Sequence, residues 1–203
     1  MIRLFGHSMV SIDNSVVIDP HDGGSIGLPK PIIGRTVQVL ITHDHYDHNA
    51  FQNVESKDVK IGLEGSLEVG GYKIEGFRAY HDNLKGKKYG KTSIYQIKGN
   101  SISFLHMGDI GEFPSERILK NLSADIVAIP IGGIITIGHR EAQEIIKIIS
   151  PTAVIPLHYW VRGLLMPLDP PEDFIKYMNW NLYKTKEIDE NNLKKGIYLF
   201  DID

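Results

Sequence analysis

Short apolar runs separated by polar and glycine-containing turns fill the first half of the chain, and this pattern predicts a series of β-strands. Residues 37–41, which are apolar except for Gln38, are typical of a strand that is buried on both faces. The predicted strands are residues 9–12, 16–18, 37–41, 59–61, 72–80, 93–97, 102–105, 126–129, 153–155 and 197–200. So many strands argue against a simple doubly wound sheet.

Apolar residues with helical spacing appear in the second half, where they predict three helices. The first opens at Pro114-Ser115-Glu116, a typical helix start, and continues to Leu122. The second covers residues 141–149 and ends before Pro151, and the third runs from Pro170 through Met178. Because no repeat or clear linker divides the chain, we expect one α/β domain over residues 1–203.

The composition narrows the possible chemistry. The chain of 203 residues has nine histidines and no cysteine, so any metal ion must be bound by nitrogen and oxygen ligands. The net charge of −3 lacks the basic excess of a typical nucleic-acid-binding protein, and we expect no nucleic-acid partner. We expect no signal peptide, because the short apolar patch near residue 4 is soon interrupted by Gly6 and Asp13, and no apolar run approaches roughly 18 residues. We therefore expect a cytoplasmic protein that does not bind a membrane.

Three imidazoles and two carboxylates are concentrated in residues 43–48, directly after the predicted strand 37–41. His43 and His45 are two positions apart, so in an extended chain their side chains point in the same direction. Asp47 and His48 follow at a point where we expect the chain to turn toward a helix, whereas Asp44 points away from the first pair. So much ionisable surface beside a buried strand is costly without a partner, and a divalent metal ion supplies one.

Imidazoles and carboxylates also follow other predicted strands. Four apolar runs end at such residues, which are His43, His81, His106 with Asp109, and His158. If the strands lie in packed sheets, these ends converge on one edge and offer ligands for two metal ions, with positions left open for water. This arrangement is typical of a catalytic metal site rather than a closed structural one.

Residues 42–48 resemble the HxHxDH signature of the metallo-β-lactamase superfamily. Shorter segments extend the resemblance over about residues 1–160, in the order seen in small metal-dependent hydrolases related to L-ascorbate-6-phosphate lactonase. These segments are residues 6–8, 18–20, 79–81, 105–109, 129–133 and 155–159. The resemblance implies a four-layer αββα sandwich of the α/β class, with the site at one edge of the two sheets.

The resemblance also implies a role for each candidate ligand. One metal ion would be held by His43, His45 and His81, and the other by Asp47, His48 and His158. Asp109 would bridge the two ions. For the third ligand of the first ion, His81 is favoured over His106, which lies three residues before Asp109.

Four further residues are candidates for supporting the ligands or facing the substrate: His7, Asp19, His106 and His139. A structural role for His7 is as consistent with the sequence as a functional one. We expect Asp19 to orient ligands through hydrogen bonds, and His106 to pack or hydrogen-bond behind them. His139 follows the Gly132-Gly133 turn and is a candidate for contact with the substrate.

These residues predict a metal-dependent hydrolase in which a metal-bridging hydroxide attacks an ester, lactone or phosphoester bond of a small molecule. Asp47 and Asp109 are the candidate catalytic residues, Asp47 by steering the attacking water. Two divalent ions are expected, with zinc favoured and manganese or iron as alternatives, because these ligand types do not discriminate among them. The alternatives are a nuclease or phosphodiesterase of the same superfamily and a non-catalytic metal-binding sensor. Homo-oligomer formation is left open.

Overall fold

Two β-sheets form the centre of the computed structural model, which describes residues 1–99 and 101–202. The first sheet has five strands in chain order: β1 (Ile2–Leu4), β2 (Val10–Ile12), β3 (Val16–Ile18), β4 (Thr36–Ile41) and β5 (Ser56–Ile61). β1, β2 and β3 pair antiparallel, whereas β3, β4 and β5 pair parallel. Asp13 (φ 50°) and Asn14 (φ 52°) form the hairpin turn between β2 and β3, because both residue types tolerate the left-handed conformation.

The second sheet has eight strands in the order β12-β13-β11-β10-β9-β8-β7-β6. Its strands are β6 (Gly65–Val69), β7 (Tyr72–Tyr80), β8 (Lys91–Lys98), β9 (Ser103–His106), β10 (Ile126–Pro130), β11 (Ala153–Leu157), β12 (Leu182–Thr185) and β13 (Gly196–Phe200). β6 to β9 form an antiparallel meander. β9, β10, β11, β13 and β12 pair parallel, so the sheet is mixed.

The main apolar core lies between the two sheets and includes the fully buried side chains of Ile12, Leu40, Ile74 and Phe104. One polar contact crosses this core. The Tyr95 hydroxyl, on β8, donates a hydrogen bond to the Ile41 carbonyl at 2.6 Å and accepts one from the Leu63 N–H at 3.2 Å. Tyr95 therefore fixes the end of β4, from which the chain enters residues 43–48.

The outer layers of the two sheets differ in construction. Three helices cover the eight-stranded sheet: α1 (Glu116–Leu119), α2 (His139–Ile149) and α3 (Glu172–Met178). α2 and α3 bury their apolar faces there through residues such as Ile145, Ile146 and Phe174. The outer face of the five-stranded sheet is covered by loop residues, among them Phe5 and Val54, and by a 3-10 turn at Phe51–Asn53. The predicted αββα sandwich is confirmed, with one outer layer made mainly of loops.

Some predicted elements were wrong in extent or missing. β1, β6 and β12 were not predicted: β1 has the charged Arg3 at its centre, and β6 and β12 are edge strands that contain no buried residue. The predicted helix 114–122 is a single turn, α1, and the Asn121 side chain donates to the Arg117 carbonyl just beyond its end. Residues 46–48 form a turn rather than the start of a helix.

The described helices are all short. None of those within residues 1–99 and 101–202 is long and apolar enough to cross a membrane.

Candidate metal centre

Strand direction explains why the candidate ligands meet. β7, β9 and β11 run in the same direction in the eight-stranded sheet, so the residues that follow them lie at the same edge. His81 follows β7, Asp109 lies three residues beyond β9, and His158 follows β11. β4 of the other sheet ends at Ile41 and leads into residues 43–48 at that same edge. The structure thus brings together the strand ends that the sequence marked as polar.

The first set of side chains, called here the inner group, consists of His7, Asp47, His48 and His158, whose ligand atoms all lie within 4.8 Å of one another. All four residues are buried. Asp47 Oδ2 lies 2.9 Å from His7 Nε2 and 3.3 Å from His48 Nε2. Burial raises the pKa of Asp47, but His48 and His7 outweigh that effect and hold the pKa below its usual range. Asp47 is therefore an anionic, oxygen-donating member of the group.

The second set, called here the outer group, consists of His43, His45 and His81, whose ligand atoms also lie within 4.8 Å of one another. Its ring centroids are 4.3 Å apart for His43 and His45, 4.7 Å for His43 and His81, and 5.1 Å for His45 and His81. His43 and His81 are buried, but His45 is partly exposed. The outer group is therefore the side of the site that solvent reaches.

Asp109 stands between the two groups. Its Oδ2 atom lies 3.1 Å from the Nε2 atoms of both His48 and His158, 3.4 Å from His81 Nε2 and 4.0 Å from His43 Nε2. Burial favours the neutral carboxyl, yet His158 and His48 hold the pKa of Asp109 well below its usual value. One carboxylate oxygen is thus shared by histidines of both groups.

The hydrogen bonds of His43 and His81 direct one ring nitrogen of each toward the site. His81 Nδ1 lies 2.9 Å from the Ile135 carbonyl, which only accepts, so Nδ1 carries the proton. His43 Nδ1 lies 3.0 Å from Thr42 Oγ1, whose own proton is donated to Asp19 Oδ2. In the neutral form of each ring, Nε2 is therefore the nitrogen without a proton, and a neutral imidazole nitrogen is the group that binds a metal.

Asp19 supports both groups from behind. Its Oδ1 accepts the Thr42 N–H at 2.7 Å, and its Oδ2 accepts the Thr42 hydroxyl at 2.7 Å and lies 3.0 Å from His48 Nδ1. Burial raises the pKa of Asp19, but the neighbouring His48 lowers it by more, so the pKa lies below its usual value and the carboxylate stays charged. The predicted orienting role of Asp19 agrees with these contacts. Sequence reasoning missed Thr42, although its place directly before His43 was a usable signal.

His106 is buried near the site, but both of its ring nitrogens are engaged in hydrogen bonds. Its Nε2 lies 2.9 Å from the Ser8 carbonyl and so donates to it, while its Nδ1 accepts the Gly108 N–H at 3.1 Å. A ring with both nitrogens engaged in this way cannot also bind an ion. The contacts place His106 behind the ligands, as expected of the weaker of the two candidates.

His139 lies in a different environment from the one expected. It is the first residue of α2, and its ring stacks on Tyr177 of α3 with centroids 5.2 Å apart. The structure therefore places His139 in the helical layer and not with either ligand group. The proximity of His139 to the Gly132-Gly133 turn in the sequence suggested contact with the substrate, but the helix carries its ring to α3 instead.

The backbone is strained at several points of the site. His7 (φ 52°), Asp19 (φ 48°) and His158 (φ 48°) all adopt the left-handed conformation that most residues avoid. Gly108, at φ 57°, directly precedes Asp109, and a side chain there would meet the Ser93 carbonyl at 2.6 Å. Such strain persists where the surrounding structure imposes it, and it is concentrated at functional sites.

Several buried polar atoms of the site have no hydrogen-bond partner within the described part of the chain. They include Nδ1 of His7 and of His158, Nε2 of His43, His48 and His158, and Oδ2 of Asp109. The three Nε2 atoms lie 3.1–4.0 Å from Asp109 Oδ2 but outside hydrogen-bonding geometry. Buried polar atoms are normally paired, and leaving them unpaired is costly. Divalent metal ions accept imidazole and carboxylate ligands of this kind, so the residues present fit such ions.

Sequence comparison places this site in a known family. Residues 1–158 match the model of the β-lactamase superfamily domain, and the chain belongs to this family. A protein from Thermococcus onnurineus, named a UPF0173 metal-dependent hydrolase, is 29% identical over 187 residues, which cover 78% of this chain and 84% of that protein. The resemblance predicted from residues 42–48 and the shorter segments is confirmed.

Solved structures share the fold. The crystal structure of a putative Zn-dependent hydrolase of the metallo-β-lactamase superfamily from Thermotoga maritima has a TM-score of 0.78 and 24% identity, and the match covers 98% of this chain and 97% of that one. CmlA from Streptomyces venezuelae, a diiron β-hydroxylase, has a TM-score of 0.67 and 13% identity, covering 97% of this chain and 52% of that one. These likenesses establish the αββα fold.

Proposed function

We propose that this metal-dependent hydrolase of the metallo-β-lactamase superfamily uses two divalent ions to cleave an ester, lactone or phosphoester bond of a small molecule. The observation that carries the proposal is the position of Asp109, whose Oδ2 lies 3.1–3.4 Å from histidines of both groups and has no hydrogen-bond partner among the described residues. A carboxylate in that position is suited to bridging two ions.

The ligand assignment follows the two groups. His43, His45 and His81 would hold one ion, Asp47, His48 and His158 the other, and Asp109 would contact both. His81 is assigned in preference to His106, because its Nε2 remains available whereas both nitrogens of His106 are engaged. His7 donates to Asp47 Oδ2, so we assign it the task of orienting that carboxylate.

When bound, divalent ions in such a site lower the pKa of water to about 7 and polarise the carbonyl or phosphoryl oxygen of the substrate, so that the carbon or phosphorus atom becomes easier to attack. The residues of the chain contribute orientation and exclusion of solvent. Asp109 and Asp47 both remain charged carboxylates. Asp47 would steer the attacking water, and His7 would fix the orientation of the Asp47 carboxylate. The partly exposed His45 marks the side from which a substrate enters.

Zinc is the metal we propose, with manganese or iron as alternatives. The five histidine and two aspartate ligands assigned above suit all three ions, so affinity alone does not select among them. The protein stripped with a chelator should be reloaded with each metal in turn and analysed for metal per chain. We expect two ions per chain, and fewer than one after reloading would overturn the two-metal assignment.

The reloaded protein should then be tested on p-nitrophenyl esters, lactones and bis(p-nitrophenyl) phosphate. We expect turnover of at least one class that is lost on metal removal, and His139→Gln, a change in the helical layer, should leave it intact. Retained metal without turnover of any class would favour a sensor instead. Hydrolysis of RNA or single-stranded DNA in place of the small molecules would favour the nuclease alternative.

A further inference from the structure

Ile134 combines two features that oppose folding. Its backbone has φ 61°, a left-handed conformation that is a genuine outlier for a β-branched residue. Its side chain is 66% exposed, so it gains little from burial. A residue that is both strained and exposed is better explained by contact with a ligand than by stability.

The surrounding loop holds Ile134 in this conformation. The Gly133 carbonyl accepts the N–H groups of Ile135 at 2.7 Å and Thr136 at 3.1 Å, and the Ile137 N–H donates to the Ile110 carbonyl at 2.8 Å. These bonds close a tight turn and tie it to the segment that follows Asp109. The exposed side chain is therefore presented by a fixed backbone rather than by a loosely attached loop.

This loop is in direct contact with the outer group. The Ile135 carbonyl, one residue after Ile134, accepts the His81 Nδ1–H at 2.9 Å. The turn that presents Ile134 is therefore bonded directly to a side chain of the outer group. Sequence patterns gave no signal for this contact, because a backbone carbonyl is offered by every residue type.

Two of the other segments that contact His81 also expose a large apolar side chain. In residues 43–48, the rings of His43 and His45 lie beside His81, and Tyr46 is 61% exposed. In the loop that follows His81, the Tyr89 ring lies 5.5 Å from it and Leu84 is 54% exposed. Three of the segments that meet at His81 thus carry exposed apolar surface.

We propose that Ile134, with Tyr46 and Leu84, contacts an apolar acyl group, so that the substrate is an ester or lactone with an alkyl or aryl chain of several carbons. This inference rests on the proposed function and names the substrate class of that site. In the reaction, water supplies a hydroxyl to the acyl carbon as the acyl carbon–oxygen bond breaks. The proton goes to the departing oxygen, and the products are a carboxylic acid and an alcohol, or one hydroxy acid from a lactone.

The test compares chain length in binding and in turnover. Acetate, hexanoate and octanoate, as product-like probes, should be titrated into the zinc-loaded protein by calorimetry. Full burial of each methylene improves affinity about fourfold, so hexanoate, with partly buried methylenes, should bind roughly tenfold more tightly than acetate. The ratio of kcat/KM for p-nitrophenyl hexanoate and p-nitrophenyl acetate should shift in the same direction.

The informative variant is Ile134→Asn, because asparagine tolerates the left-handed conformation but removes the apolar surface. We expect the preference for hexanoate to fall about fivefold while the thermal midpoint stays the same or rises. Ile134→Gly is a second variant that accepts the same backbone conformation. The matched control is Ile148→Gln, which removes a 54% exposed isoleucine from α2, about 13 Å along the helix from its first residue.

The outcomes separate this inference from the function it rests on. Equal binding of acetate and hexanoate, or a preference unchanged in Ile134→Asn and Ile134→Gly, would overturn the apolar contact. Hydrolysis of both esters without a chain preference would leave the proposed hydrolase function intact and remove this substrate class. A preference in binding that depends on Ile134, without hydrolysis of either ester, would support the contact while contradicting ester hydrolysis.

Discussion

The inner and outer groups are built from similar side chains but differ in their access to solvent. All four members of the inner group are buried, and Asp47 is its only carboxylate. The outer group contains histidines alone, and one of them, His45, is partly exposed. A closed, carboxylate-containing set is suited to holding an ion firmly, whereas an open set leaves room for water and substrate.

The two groups also have different support. In the inner group, His48 is held by Asp19, which lies 3.0 Å from His48 Nδ1, and Asp47 is held by the buried His7. The outer group is held by Thr42 and by a backbone carbonyl of the loop that presents Ile134. The contrast suggests that changes behind the inner group act mainly on metal affinity, while changes beside the outer group act mainly on the substrate.

The largest expected effect follows from changing Asp109, the carboxylate that contacts both groups. Asp109→Asn keeps the size of the side chain but removes its charge and one acceptor oxygen. We expect hydrolysis to fall by at least about a thousandfold, on the scale of losing a main electrostatic group in an active site. Metal analysis and kcat measurements check this, with Asp58→Asn, an exposed carboxylate that pairs with Lys60, as the control. Full activity in Asp109→Asn would remove Asp109 from the site.

The next comparison separates His81 from His106. His81→Gln should lose one metal ion per chain and reduce turnover roughly a hundredfold. His106→Gln should keep both ions but lose about 1–3 kcal/mol of stability, because the buried Ser8 carbonyl and Gly108 N–H lose their partner. Metal stoichiometry and chemical denaturation measure the two effects. The reverse pattern, with metal lost only in His106→Gln, would exchange their roles.

A smaller effect should distinguish the two groups directly. Asp19→Asn weakens the support of His48 and should lower the metal affinity of the inner group about 10- to 100-fold, with a lesser effect on the outer group. Competition with a chelating dye measures both affinities. Equal weakening of the two sites would show that Asp19 acts on the site as a whole, through Thr42, rather than on the inner group.

The smallest effect concerns the contact between the sheets. Tyr95→Phe removes one of the two donors to the Ile41 carbonyl, which keeps the Gly62 N–H at 2.8 Å, and leaves the Leu63 N–H without its partner. We expect it to cost about 0.5–1.5 kcal/mol of stability. Tyr177→Phe, on the exposed face of α3, is the control and should change stability little. Urea denaturation compares the two. A Tyr95→Phe protein as stable as the control would mean that water replaces the lost contact.

Much of the site was predictable because its ligands follow apolar runs in the sequence. The alternation of His43 and His45 and the polar ends of β7 and β11 are local signals, and strand direction brings them to one edge. The choice between His81 and His106 was not fixed by any local pattern, since both follow or end a strand. It depends on which nitrogens the fold has already engaged, and those partners are backbone groups that the side-chain pattern does not reveal.

The fold was predictable to a similar depth. Strands with a buried apolar face left a clear period, whereas the edge strands β6 and β12 did not, because neither contains a buried residue. α1 was predicted too long because Leu122 is buried and mimics a further helical turn, although the chain has already left the helix. An apolar residue that is buried beyond the end of a helix can match the helical spacing and so extend the predicted helix.

The spread of the ligands along the chain has a consequence for biosynthesis. Residues 43–48 leave the ribosome early, but His158 follows β11, which pairs with β10 and β13 late in the sequence. Parallel pairing between distant segments is slow to form. The site around residues 43–48 is therefore complete only after the later strands have been synthesised and have paired. Metal capture is therefore expected to be a late event in maturation, and depletion of metal during expression should yield folded chains that can still be loaded afterwards.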